Sequence, residues 1–175
     1  MNLPLAIVVA RGLATIPVCL LLAVRTPFAD AAALVLFAAA AVSDALDGHL
    51  ARSRHQVTSF GAAADPLADK VLVIGTLTAL ALRGLAPAWA VALIGLREAA
   101  AVAARAGRNL PATGDGKAKT IAQMVSCAGL IGAASYGSEA LLVGANIALG
   151  FALALTVLSG VRLMVRATQT RAHAG

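Results

Sequence analysis

Charge is scarce in this chain. Of its 175 residues only 13% are charged and 60% are hydrophobic, against about 25% and 45 to 50% in ordinary soluble domains. With a mean hydropathy of +0.87, a water-soluble globule is excluded, because a chain the size of one domain lacks the volume to hide that many apolar side chains. The same composition excludes intrinsic disorder. Cysteine is nearly absent as well. Cys19 and Cys127 both sit in apolar runs and read as small hydrophobes, which excludes a disulfide scaffold and says nothing of redox compartment. The N-terminus lacks the short cationic segment and small-residue cleavage site of a signal peptide, so the first apolar run is expected to stay as a helix. No internal repeat of the kind found in many transporters is visible.

What the chain does have is long uncharged stretches. None of residues 31–43, 71–82, 84–96, 120–138 and 140–161 is charged, and only Arg11 precedes Arg25. A membrane-spanning helix needs about 20 mostly apolar residues. Breaking the chain at its Pro, Gly and charge clusters gives six such helices, near 4–24, 30–52, 66–82, 87–106, 117–135 and 140–164. The expected fold is therefore all-α, a single polytopic domain over 1–175 with six transmembrane helices. A net charge of +6 would suggest nucleic acid in a soluble protein. Here its placement reports topology instead, since cytoplasmic loops are enriched in Lys and Arg. With the N-terminus inside, Arg52, Arg54, Lys70, Arg105, Arg108, Lys117, Lys119, Arg162, Arg166 and Arg171 fall on the cytoplasmic side and only Arg25 and Arg83 on the other. Both termini are thus expected to be cytoplasmic.

Four of the eight acidic residues lie within the 26 positions from Asp44 to Asp69. Asp44 and Asp47 are three apart, Asp65 and Asp69 four apart, and on helices each spacing puts a pair on one face. Asp65 precedes Pro66 and reads as an N-cap, with Asp69 one turn deeper. If Arg52 marks the cytoplasmic surface, Asp44 lies roughly 12 Å below it. Insertion there costs about 2.5 to 3.5 kcal/mol per Asp at a helix centre and less near the end, so the charges need compensation. Lys70 and Arg52 can neutralise part of them. Two divalent cations would balance all four, and hard oxygen ligands without a nearby cysteine favour Mg²⁺, Mn²⁺ or Ca²⁺ over zinc. The other reading is a set of surface carboxylates salt-bridged to neighbouring bases. Gly48 and Gly61 either let a bulky ligand reach the backbone or let helices pack closely. Arg52 is either a phosphate clamp or an interfacial anchor.

In order, Asp44, Asp47, Gly48, Ala51, Arg52, Gly61, Asp65 and Asp69 resemble the complete signature of the CDP-alcohol phosphotransferase family. The resemblance implies a bacterial inner-membrane enzyme, acting as a homodimer with its site open to the cytoplasm. In such an enzyme an alcohol attacks the β-phosphorus of CDP-diacylglycerol and releases CMP. It further implies that Asp44, Asp47, Asp65 and Asp69 hold two Mg²⁺ or Mn²⁺ ions and that Asp69 is the general base. Asp44, Gly48, Arg52, Gly61 and Asp65 would shape the CDP pocket. Arg97 with Glu98, and the segment GDGKAKTIAQM opening the fifth helix, are similar to the phosphatidylglycerophosphate synthase branch. A phosphorylated alcohol acceptor, glycerol 3-phosphate first, would then meet Arg97, Lys117 and Lys119. Equally, Arg97 could pair with a neighbouring acid, and the two lysines could be anchors. At the N-terminus Asn2, Pro4 and Arg11 match that branch, whereas Leu5 and Val8 stand where it has polar Asn and Thr. Inositol phosphate and phosphatidylglycerol therefore stay open as acceptors. A membrane cation carrier is the rival from another class, since intramembrane acids also line ion routes.

Overall fold

The computed structural model describes the backbone of residues 3–53, 59–106 and 115–172, and side chains over 12–43, 70–102 and 118–162. Six helices follow one another: α1 (Leu3–Val24), α2 (Pro27–Ser53), α3 (Ser59–Leu82), α4 (Ala88–Ala106), α5 (Asp115–Tyr136) and α6 (Glu139–Ala172). The fold is all-α among the described residues, as the composition required. Three boundaries differ from expectation. α2 begins at Pro27, where Pro at the first helical position forfeits no hydrogen bond. α6 runs on to Ala172 rather than 164. α3 begins at Ser59, so Asp65 stands inside the helix and is not its N-cap. Pro66 misled because proline is favoured at a helix start, whereas here it is the eighth residue of α3.

α1 packs on both α2 and α3, α5 on α2, α3 and α6, and α4 on α3 and α6. Every helix contributes to one apolar core, including Leu22, Phe37, Leu77, Ile94, Leu130 and Leu149. Two contacts depend on the lack of a side chain. A Cβ at Gly75 would come within 2.5 Å of Thr15 Cγ2 on α1, and one at Gly129 within 2.8 Å of Ala145 Cβ on α6. Close approach through small residues is how helices associate where no hydrophobic effect drives them together.

Burial is inverted relative to a soluble protein. Phe28 and Leu96 are 85% and 72% exposed, while Glu98 and Lys119 are 4% and 3% exposed. On α1 the exposed Leu13, Ile16, Leu20 and Val24 follow helical spacing down one face, and on α6 Val143, Ile147 and Phe151 do the same. Apolar stripes of this extent call for an apolar solvent. Hydroxyls return to their own helices, Thr78 Oγ1 donating to Ile74 O at 2.7 Å and Thr156 Oγ1 to Ala152 O at 2.7 Å. That is how polar side chains are accommodated away from water. Among the described residues one stretch, Glu139–Arg162, is long and apolar enough to cross a membrane, and Gly12–Val24, Pro27–Ser43 and Lys70–Leu82 are shorter apolar helices.

Candidate active site

A buried ion pair ties the start of α2 to the turn after α3. Arg83, just beyond α3, donates from Nη2 to Asp30 Oδ2 at 2.9 Å, and its Nη1 meets Oδ1. The start of α2 therefore lies beside the end of α3, and the two helices run antiparallel. From Asp30 to Asp44 is 14 residues, and from Arg83 back to Asp69 is also 14, so both positions lie about 21 Å along their helices from the pair. Asp47 and Asp65 follow at 17 and 18 residues, about 26 and 27 Å. The acids thus occupy matched heights at the end opposite Asp30, on two helices that share α1 and α5 as neighbours.

The side chains of Asp44, Asp47, Asp65 and Asp69, and of Arg52 and Lys117, lie outside the described residues. Gly48 and Arg52 occupy the last two turns of α2, and Gly61 the first turn of α3. Among the described side chains no group of three or more His, Cys, Asp or Glu converges. The donor set itself fits hard divalent cations: four carboxylates, two on each of two helices, with no thiol among them.

Next to this level the structure assembles a cluster of charges that the sequence did not reveal as a unit. Glu98 of α4 is its centre. Glu98 Oε1 accepts from Arg97 Nη1 at 2.8 Å and also from Lys119 Nζ of α5. Its Oε2 faces Lys70 Nζ of α3 at 3.0 Å, an ion-pair distance without hydrogen-bond alignment. Arg97 Nη2 donates to Ser159 Oγ of α6 at 2.8 Å, while its Nε is buried without a partner. Four helices meet here, and three cations surround one carboxylate among the described residues. All three cations depend on that one carboxylate for their ion pairs among these residues, so its removal would leave them buried and uncompensated.

Arg97 and Lys119 are therefore brought together, as expected of two groups serving one phosphate, but through Glu98, so that Arg97 does pair with an adjacent acid. Lys70, which the sequence offered as a neutraliser of part of the aspartates' charge, has its Nζ beside Glu98 Oε2 of α4, while the aspartate side chains lie outside the described residues. Ser159 was not anticipated. Nothing in an uncharged run such as 140–161 singles out one serine, and only the packing of α6 on α4 brings it to the guanidinium.

A family model described as CDP-alcohol phosphatidyltransferase matches residues 1–162. The chain is 36% identical over 180 aligned residues, 91% of either chain, to a CDP-diacylglycerol--glycerol-3-phosphate 3-phosphatidyltransferase of Bacillus subtilis. It is 37% identical to a probable phosphatidylglycerophosphate synthase of Mycobacterium tuberculosis, over 77% of this chain and 65% of that one. It is also 38% identical to a CMP-forming cardiolipin synthase of Streptomyces coelicolor, over 57% of this chain and 47% of that one. The aspartate signature, the helical fold and these similarities agree, and the chain belongs to the CDP-alcohol phosphatidyltransferase family of membrane enzymes.

Proposed function

We propose that this protein transfers the phosphatidyl group of CDP-diacylglycerol to glycerol 3-phosphate, giving phosphatidylglycerophosphate and CMP. The observation that carries this reading is the matched height of Asp44 with Asp69 and of Asp47 with Asp65, in a chain 36% identical across 91% of its length to an enzyme named for that reaction. Asp44, Asp47, Asp65 and Asp69 would hold two divalent cations, Mg²⁺ or Mn²⁺. When bound, such ions polarise a pyrophosphate and offset charge on the entering and leaving oxygens. Asp69 accepts the proton of the acceptor hydroxyl as its oxygen bonds to the β-phosphorus. The bond from that phosphorus to CMP breaks, and CMP leaves with the electron pair. Asp44, Gly48, Arg52, Gly61 and Asp65 line the CDP pocket, with Gly48 and Gly61 letting the ligand approach the backbone. Arg97, Lys117 and Lys119 receive the acceptor phosphate. The excess of cations over carboxylate around Glu98 supports that role for Arg97 and Lys119.

The same proposal makes the chain one domain with six membrane spans. Both termini are cytoplasmic, and the protein is a homodimer in a bacterial inner membrane with its site open to the cytoplasm. Support comes from the apolar stripes, the buried polar residues and the bases crowded toward the end that carries the aspartates. Nucleotide and acceptor then arrive from water while the diacyl tails stay in lipid. Membership of a transferase family sets the cation-carrier reading aside.

Phosphatidylglycerol as acceptor is a second reading, favoured by the 38% identity to the Streptomyces cardiolipin synthase. Purified protein should be incubated with CDP-diacylglycerol, Mg²⁺ or Mn²⁺ and, separately, glycerol 3-phosphate, inositol phosphate and phosphatidylglycerol, the lipid product being identified by mass spectrometry. Phosphatidylglycerophosphate is the expected product, and its formation should be lost in Asp69→Asn. Turnover with either of the other acceptors alone would reassign the substrate.

A further inference from the structure

Glu98 stands about midway along α4, far from the aspartate signature in sequence, and the reaction proposed above gives it no task. Its surroundings suggest one. Lys70 is the residue immediately after Asp69, so the two Cα atoms are about 3.8 Å apart. Its ammonium rides on a flexible four-carbon stem. Left to itself, a cation so placed would be drawn to the four carboxylates and would occupy the oxygens that bind divalent ions. The structure shows it reaching a carboxylate on another helix, with Lys70 Nζ 3.0 Å from Glu98 Oε2 and the lysine side chain only 19% exposed. Glu98 is itself held in place, because Oε1 is fixed by Arg97 and Lys119 and Arg97 is fixed in turn by Ser159. Of the three cations, Lys70 alone belongs to a helix that carries the acids, and it has no other ion-pair partner among the described residues.

We infer that Glu98 is a positioning residue which sequesters Lys70, keeping its ammonium off the aspartates so that they remain free to take up divalent cations. The inference rests on the metal-binding role proposed for those aspartates. Charge counting within the cluster makes it testable. With Arg97, Lys119 and Lys70 against Glu98, the described charges sum to +2. Glu98→Gln raises this by one and releases Lys70, whereas adding Lys70→Gln returns the sum to the starting value and removes the released cation.

The experiment is direct Mn²⁺ binding to the purified full-length protein without substrates, read from the paramagnetic resonance signal of free Mn²⁺. Because repulsion between an ammonium and a divalent ion is strong at the effective dielectric of a protein, Glu98→Gln should weaken binding about tenfold or more. Lys70→Gln alone should bind at least as tightly as the parent, and the double variant should recover most of the loss. Recovery in the double variant would not follow if Glu98 served only to stabilise the fold, since that variant breaks the Lys70 contact on both sides. Undiminished binding in Glu98→Gln, or a double variant no better than the single, overturns the inference. If Glu98→Gln does not fold, Lys70→Gln still decides, because weakened binding there would show that Lys70 helps the ion. No Mn²⁺ uptake by the parent protein would instead refute the metal-binding role itself.

Discussion

The pairing of Asp30 with Arg83 ties the start of α2 to the end of α3, and its removal should be felt in two ways. The two side chains are 2% and 12% exposed, so Asp30→Ala strands a guanidinium among apolar neighbours. Removing one partner of a buried pair costs about 3 to 5 kcal/mol. For a chain of this length each kcal/mol lowers the unfolding midpoint by about 2 to 4 °C, and a fall of about 6 to 20 °C is expected. Arg83→Ala should cost a similar amount. The double variant should lose less than the two singles together, with a coupling of about 1 to 3 kcal/mol. Midpoints should be compared in one detergent at one scan rate, because unfolding of such proteins is often irreversible. Transfer activity should also fall in the singles, although the aspartates lie about 21 Å along their helices from the pair, since loss of the tie between the start of α2 and the end of α3 loosens the two helices that carry them. Losses that simply add in the double variant, or single variants that melt within about 2 °C of the parent, would refute the reasoning.

Two further outcomes are expected. In Gly129→Ala the new Cβ stands 2.8 Å from Ala145 Cβ, and since neither group can rotate away α5 and α6 must part, at about 1 to 3 kcal/mol. Adding Ala145→Gly leaves the Cα of residue 145 at 3.5 Å as the nearest atom and should restore most of the lost midpoint, a recovery whose absence would show that the contact is not limiting. Chelation of divalent cations should abolish CMP release, with Mg²⁺ or Mn²⁺ restoring it, as befits a site of carboxylate oxygens. Full turnover in excess chelator would remove the ions from the reaction.

Much of this was legible beforehand because membrane helices advertise themselves. Uncharged runs such as 120–138 and 140–161, interrupted by Gly137 and Ser138, located α5 and α6 directly. The signature was equally plain, since its spacing is local to two consecutive helices. What failed was anything that depends on a partner from elsewhere in the chain. Pro66 looked like a helix start because its missing donor is a local fact, whereas α3 runs back to Ser59. Lys70 could be seen beside the aspartates, but its contact with Glu98 of α4 could not, since that follows from the packing of α3 on α4. Glu98 could be seen as an acid in an apolar helix, but which cations it gathers follows from how α3, α4 and α5 pack.

The turns on the Asp30 side are short and closed on themselves. Arg25, in the left-handed region at φ 60, and Thr26 alone join α1 to α2, and Thr26 Oγ1 accepts from Ala29 N at 3.3 Å. Gly84 N donates to Ala81 O at 2.9 Å after α3, and Ser138 N to Ala133 O at 3.3 Å after α5. Three connections are thus closed by hydrogen bonds at one pole of the molecule. A covalent staple across that pole would restrain turns that these hydrogen bonds already close, and turnover should survive it.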